Sequence, residues 1–243
     1  WGLKATCGRK RITLELGGNA AVVVDEVDDL RAIAAHIARG AFAYSGQVCI
    51  SIQRIFVRDA LYDDFVSAMV EYTKSEIRSG DPFDEKVLNG PLISAGDVER
   101  VGAWVAEATA AGAKVLCGGD AEGAVFAPTI LAGAPHEAKV WAEEAFAPLA
   151  VVEDYRDFEE AVAKVNDSRF GLQAGYFTHD LNKAQYAFEH TEVGAVLINE
   201  TPIARLDHLP YGGVKDSGFG REGPRFAMDE LTEPRVLVIK PDR

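Results

Sequence analysis

A chain of 243 residues that is 48% hydrophobic can bury one large core, and length alone leaves one or two domains open. Its 25 basic and 38 acidic residues give a net charge of −13, which repels nucleic-acid phosphates and anionic lipid and leaves a small molecule as the expected partner. There is no run of about eighteen apolar residues that would span a membrane. Cys7, Cys49 and Cys117 form an odd set without a C-x-x-C pair, which suits a reducing cytoplasm better than a disulfide framework or a zinc site. The opening Trp1-Gly2-Leu3-Lys4, with no apolar leader, reads as the start of a piece of something longer.

In chain order, residues 11–16 alternate as a strand does, and 20–24 are apolar throughout, as in a strand buried on both faces of a parallel sheet. Asp28-Asp29 supplies an acidic start for a helix, and Leu30, Ile33, Ala34, Ile37, Ala38 and Ala41 recur at helical spacing. The small-residue loop Tyr44-Ser45-Gly46-Gln47-Val48-Cys49 then feeds a strand over 50–57, and a helix is expected over 62–72. Residues 80–92 are rich in turn formers and read as a long connection. Beyond it the pattern predicts a helix over 97–112, strands over 114–117, 125–131 and 149–155, a helix over 158–165, a strand over 174–177, a helix over 183–190 and a strand over 195–199. This βαβα order predicts one α/β domain with a mainly parallel sheet and right-handed crossovers.

Residues 210–223 break the pattern with a glycine-rich loop, followed by a short helix and a β-branched terminal strand over 235–239. Residues 218–223 fit G-x-G-x-x-G to the letter, but no strand precedes the first glycine, so an irregular loop is the better reading than a dinucleotide fingerprint.

Cys49 is the candidate nucleophile. An isolated cysteine is more often a packed, inert residue. Here Ser45-Gly46-Gln47 is too small and polar for a core segment, and a thiol where a loop meets a strand is open to substrate and to backbone N–H groups. Iodoacetamide in limiting amount should then label Cys49 before Cys7 and Cys117. Thirty-four positions upstream, Thr13-Leu14-Glu15-Leu16-Gly17-Gly18-Asn19 puts a carboxylate in an apolar strand that stops at two glycines. Alternation alone makes Glu15 a solvated strand residue. The glycines allow backbone or ligand to approach closely, and shielding by apolar neighbours would raise its pKa and suit it to act as general base toward water.

Together these stretches resemble the aldehyde dehydrogenase superfamily, with E-L-G-G at Glu15-Leu16-Gly17-Gly18 and G-Q-x-C at Gly46-Gln47-Val48-Cys49. Glu143-Glu144-Ala145-Phe146-Ala147-Pro148 resembles its E-x-F-G-P motif, with Ala147 where glycine is usual, and residues 210–218 resemble its P-x-G-G-x-K-x-S-G loop. Parts of the chain look like the lactaldehyde and non-phosphorylating glyceraldehyde-3-phosphate branches. The resemblance implies a Rossmann-like three-layer catalytic domain over 1–233, with residues 234–243 used as an oligomerisation strand in a homodimer or homotetramer. It also implies NAD or NADP as cofactor, held in part by an N-terminal half that this chain lacks, so that the chain alone should be inactive. Cys49 would be the nucleophile and Glu15 the base. Glu144, Phe146 and Gly17 would meet the cofactor, and Asn199, Arg205, His208 and Tyr211 would shape the pocket for a small aldehyde, with Arg205 and His208 facing a hydroxylated or anionic one. Two other readings stay open: a cysteine hydrolase or acyltransferase using His36, His136, His179, His190 or His208, and a non-catalytic assembly module.

Overall fold

In the computed structural model, which describes residues 1–241, the apolar run Ala20–Val24 (β1) is an inner strand of a seven-stranded sheet and is buried along its whole length. The other strands are Ile52–Arg58 (β2), Lys114–Cys117 (β3), Thr129–Ala132 (β4), Leu149–Tyr155 (β5), Gln173–Phe177 (β6) and Ala195–Ile198 (β7). Their order is β7-β6-β1-β2-β5-β4-β3, parallel throughout except for the outer β3–β4 pair.

Alternate side chains of each strand enter opposite cores. Val22, Val24, Ile55, Val57 and Val152 pack with Ile37, Ala41, Phe65 and Met69 of Leu30–Phe42 (α1) and Tyr62–Glu76 (α2). Ala21, Val23, Phe56 and Val151 pack with Val101, Val105, Ala161, Val162 and Ala187 of Ala95–Ala110 (α3), Phe158–Asn166 (α4) and Leu181–His190 (α5). This is the expected three-layer, mainly parallel arrangement. The helix starts are chemically marked: Asp29 accepts from the Ala32 N–H at 3.0 Å, Ser94 from Asp97, and Asp180 from Asn182 at 2.7 Å.

Several expectations change. Of residues 11–16 only Leu14–Glu15 form a ladder, antiparallel to Gly218–Phe219 of the glycine-rich loop and outside the main sheet. The strand expected over 125–131 divides at Pro128, which has no N–H to donate; Val125–Phe126 turns back on Ala121–Glu122 while β4 enters the sheet. Lys139–Ala142 is a short helix that periodicity did not signal. Residues 235–239 form no strand within the chain, and Val236, Leu237, Val238 and Ile239 stay 77–86% exposed. A β-branched run becomes a strand only against a second edge, and no edge of this chain reaches it. Residues 242 and 243 of the expected terminal segment lie outside the described residues.

Because β1, β2 and β5 are parallel neighbours, the loops that enter them meet at one edge of the sheet. Those loops carry Glu15, Cys49 and Glu144.

Candidate active site

The three loops are fixed by polar residues set into apolar strands. Asn19 donates its amide to the carbonyls of Trp141 (2.7 Å) and Glu143, and Gln53 donates to Val140 and Glu143 while accepting from the Ala145 N–H at 2.9 Å. Together they hold the segment that presents Glu144 and Phe146. Arg54, wholly buried, donates from Nε to Asn19 Oδ1 at 2.7 Å and from its other nitrogens to the carbonyls of Asn19, Lys164, Val165 and Asp167. Its guanidinium thus closes the carbonyl end of α4, and burial, partly offset by Asp167, brings its pKa down to about 10. Sequence reading passed over Asn19, Gln53 and Arg54, although polar groups inside an otherwise apolar strand were the available signal.

The cysteine loop leaves α1 through Tyr44, Ser45 and Gly46, which all have left-handed backbone, with φ of 54°, 59° and 65°. Ser45 Oγ donates to Gly90 O (2.9 Å), and Gln47 accepts from the Ile93 N–H at 2.9 Å, so the long connection after α2 carries the loop. Gly18 lies so close to the Cys49 carbonyl that a Cβ would overlap it, and a Cβ on Gly17 would overlap the Glu144 carboxylate. Ser217, fully buried, donates to Gly17 O at 2.7 Å and ties the 210–218 loop to the same place.

Cys49, Glu15, Gly17, Glu144 and Phe146, with Leu16, Gln47 and Val48, line one groove of about 400 Å³. A larger cavity of about 680 Å³, between residues 79–82 and 120–127, contains none of these groups. Cys49 Sγ lies 3.1 Å from Tyr211 Oη. Burial pushes the Cys49 thiol up to about 11; Tyr211's hydrogen bond opposes the rise, and the charges of Glu15 and Glu144 add to it. The resting group is therefore held toward the protonated thiol. Glu15 is exposed, so the shielding expected for it is not supplied by this chain.

Glu144 Oε1 accepts the Gly18 N–H at 2.7 Å, and burial raises its pKa, with the Gly18 bond opposing and Glu15 reinforcing the rise. Its other oxygen faces the space kept open by Gly17, and Phe146, 42% exposed with φ of 46°, stands beside it. A hydroxyl-acceptor next to an aromatic face suits the ribose and nicotinamide of a dinucleotide, so the residues present fit that group.

The other predicted pocket residues divide. Tyr211 reaches Cys49, and the Arg205 guanidinium stacks 4.1 Å from the centre of the Tyr211 ring while donating to Glu222 at 3.1 Å. Asn199 stands apart from this group: its side chain accepts the Thr178 N–H at 3.0 Å and closes the carboxyl end of β7. His208 is exposed on the 205–210 loop. His36 pairs with Glu200, His136 with Glu153 and Asp167, His179 with Asp28, and His190 with Tyr186 O, so among the described residues no histidine is hydrogen-bonded to Cys49.

The description of the aldehyde dehydrogenase family matches residues 3–237. The 3-sulfolactaldehyde dehydrogenase of Priestia aryabhattai is 43% identical over 237 residues, which are 98% of this chain and 50% of that protein. Aldehyde dehydrogenase 21 from Physcomitrella patens, solved in complex with the reaction product succinate, superposes with a TM-score of 0.96 at 45% identity, covering 99% of this chain and 50% of that one. Glyceraldehyde-3-phosphate dehydrogenase GapN from Methanocaldococcus jannaschii, complexed with NADP, superposes with a TM-score of 0.89 at 38% identity, covering 94% and 50%. The chain spans about half the length of the relatives it matches. Its fold, its motifs in order and this match along nearly its whole length make it a member of the aldehyde dehydrogenase family.

Proposed function

We propose that residues 1–233 are the catalytic domain of a cytoplasmic, NAD- or NADP-dependent dehydrogenase that oxidises a small aldehyde to its carboxylic acid. The observation that carries this is the meeting of Cys49, Glu15, Glu144 and Phe146 on one groove. The Cys49 thiolate adds to the carbonyl carbon, and the oxygen that takes up the charge is held by the Cys49 N–H. Glu144 and Phe146 would hold the dinucleotide, which when bound would supply the hydride acceptor. Cys49 is then acylated as a thioester. Glu15 takes a proton from water, the hydroxide adds to the thioester carbon, and the carbon–sulfur bond breaks to release the acid and return Cys49.

Arg205 supports a reading of the substrate class. A short aldehyde whose carbonyl carbon sits at Cys49 Sγ can turn its far end toward the cation stacked on Tyr211. Two of the relatives above are named for a sulfonate- and a phosphate-bearing aldehyde and the third was solved with its product succinate, a dicarboxylate, which supports an anionic, hydroxylated aldehyde with Arg205 as its partner and His208 on the same loop. Residues 234–243 serve assembly into a homodimer or homotetramer, for which the exposed apolar run 236–239 is the support.

The test is aldehyde-dependent formation of NADH or NADPH by the whole protein, comparing an aldehyde with a terminal carboxylate, sulfonate or phosphate with a neutral one of equal length. No reduced nicotinamide with any aldehyde would overturn the activity. Equal kcat/KM for the two, unchanged by Arg205→Ala, would overturn the substrate class. Unchanged mass by light scattering after deletion of 234–243 would remove that segment from the interface.

A further inference from the structure

We infer that Tyr211 is a catalytic residue that donates its phenolic hydrogen bond to the Cys49 thiolate, and that Arg205, stacked on the phenol and anchored by Glu222, strengthens that donor. The inference deepens the reading of Cys49 as nucleophile and rests on it. Two observations that do not depend on each other carry it.

The first is the contact itself. Tyr211 Oη lies 3.1 Å from Cys49 Sγ and its hydrogen bond favours the thiolate, whereas the other polar side chains acting on the sulfur, Glu15 and Glu144, are acids that work against its ionisation. A buried thiol beside two carboxyl groups is held protonated, and a hydrogen-bond donor is what favours its thiolate. Burial, together with the hydrogen bond to Cys49, also raises the Tyr211 phenol far above its ordinary range. Once sulfur has lost its proton it has none to donate, so in the thiolate the 3.1 Å contact is a bond in which O–H donates and S⁻ accepts.

The second is how the donor is built. Tyr211 and Glu222 exchange two backbone hydrogen bonds, Tyr211 N–H to Glu222 O at 3.1 Å and Glu222 N–H to Tyr211 O at 2.6 Å. The Glu222 side chain then accepts from Arg205 Nη2 at 3.1 Å, which holds the guanidinium 4.1 Å from the ring centre. A cation over an aromatic face draws electron density from it and makes its hydroxyl a better donor. Tyr211 is itself buried against Ile50 and Leu172, so the ring has one position. The substrate partner proposed above thus has a second action, through the phenol, on the reacting sulfur.

The experiment is the pH dependence of iodoacetamide alkylation of Cys49 in the 243-residue chain, followed by peptide mass mapping from pH 7 to 11 with Cys7 in the same sample as reference. Alkylation joins sulfur to the methylene carbon and expels iodide, so its rate counts thiolate. Tyr211→Phe is expected to slow Cys49 about tenfold below pH 9 and move its profile about one pH unit upward, the effect of removing a hydrogen bond to a charged group, with Cys7 unchanged. Arg205→Met, which leaves the phenol in place, should shift the profile in the same direction by about threefold in rate. It should add nothing in a Tyr211→Phe background, because Arg205 acts through the phenol. A Cys49 profile in Tyr211→Phe identical to that of the unmodified chain overturns the inference, as does a full Arg205→Met effect in the absence of the hydroxyl. A Cys49 that fails to react at any pH while Cys7 does is a different failure, since it overturns the reading of Cys49 as nucleophile.

Discussion

At the carboxyl ends of the strands, Asp25 is almost fully buried and accepts from Lys183 at 2.6 Å, Tyr155 at 3.0 Å and Thr178 at 3.2 Å, while Glu26 pairs with Arg58 and Lys183. At the amino ends of the same sheet, the carboxyl groups of Glu15 and Glu144 stand beside the Cys49 thiol, and among the described residues none of the three forms an ion pair. Ligands in open parallel sheets are usually found at the carboxyl ends. Here that end is closed by a satisfied network, and the groove lies at the other. What separates the two edges is completeness of pairing: a buried charge with every partner in place is structural, and one left facing its own kind in a groove is available for chemistry.

Removing the unpaired thiol should give the largest effect. Cys49→Ala in the whole protein is expected to abolish aldehyde-dependent nicotinamide reduction, a loss of roughly ten-thousand-fold or more, with the thermal unfolding midpoint nearly unchanged. Glu15→Gln comes next. It should slow steady-state turnover by about a hundredfold through the hydrolysis step and leave a burst of reduced nicotinamide of about one equivalent per site, read by stopped-flow absorbance. If the burst slows as much as the steady state, Glu15 acts before the thioester forms.

The opposite edge should respond in the opposite way. Asp25→Ala strands Lys183 and the Tyr155 hydroxyl, at a cost of about 3 kcal/mol or more. For a domain of this size that lowers the unfolding midpoint by about 6–12 °C in calorimetry. The rate of Cys49 alkylation in the folded state should stay within about twofold. A variant that keeps its midpoint but loses Cys49 reactivity would couple the two edges and break the distinction between them.

Strand and helix order was legible because burial on both faces leaves a continuous apolar run, as in Ala20–Val24, and because caps such as Asp29 and Asp180 are local chemistry. That the Glu15 and Cys49 segments would meet was legible from Gly17-Gly18, which permit close approach, and Gly18 against the Cys49 carbonyl is that approach. Asn19, Gln53 and Arg54 were not, since their partners are carbonyls as many as 124 positions away that no periodicity announces. The run at 235–239 is outside any strand of the single chain for a related reason: β-branched composition records a willingness to pair, and pairing needs an edge that composition does not supply. The thiol's protonation was hidden too, because it depends on burial and on carboxylates brought together from separate loops.

Backbone strain sharpens the comparison of edges, and it yields the smallest expected effect. Non-glycine residues with left-handed backbone at the amino edge include Tyr44, Ser45 and Phe146, side chains for which that conformation is unfavourable. At the carboxyl edge the corresponding residue is Asn199, a type that tolerates it, and its side chain is used to accept the Thr178 N–H. Tyr44 is 76% exposed, so its ring contributes little packing to offset the strain. Tyr44→Asn should therefore keep the loop's path and relieve part of its cost, raising stability by about 0.5–1 kcal/mol, or some 1–4 °C in the unfolding midpoint. Cys49 alkylation should not change, because Gln47 and Ser45 still hang the loop on residues 90–93. A lower midpoint would mean that the Tyr44 ring is a packing element, and a slower Cys49 with a higher midpoint would mean that the strain itself positions the thiol.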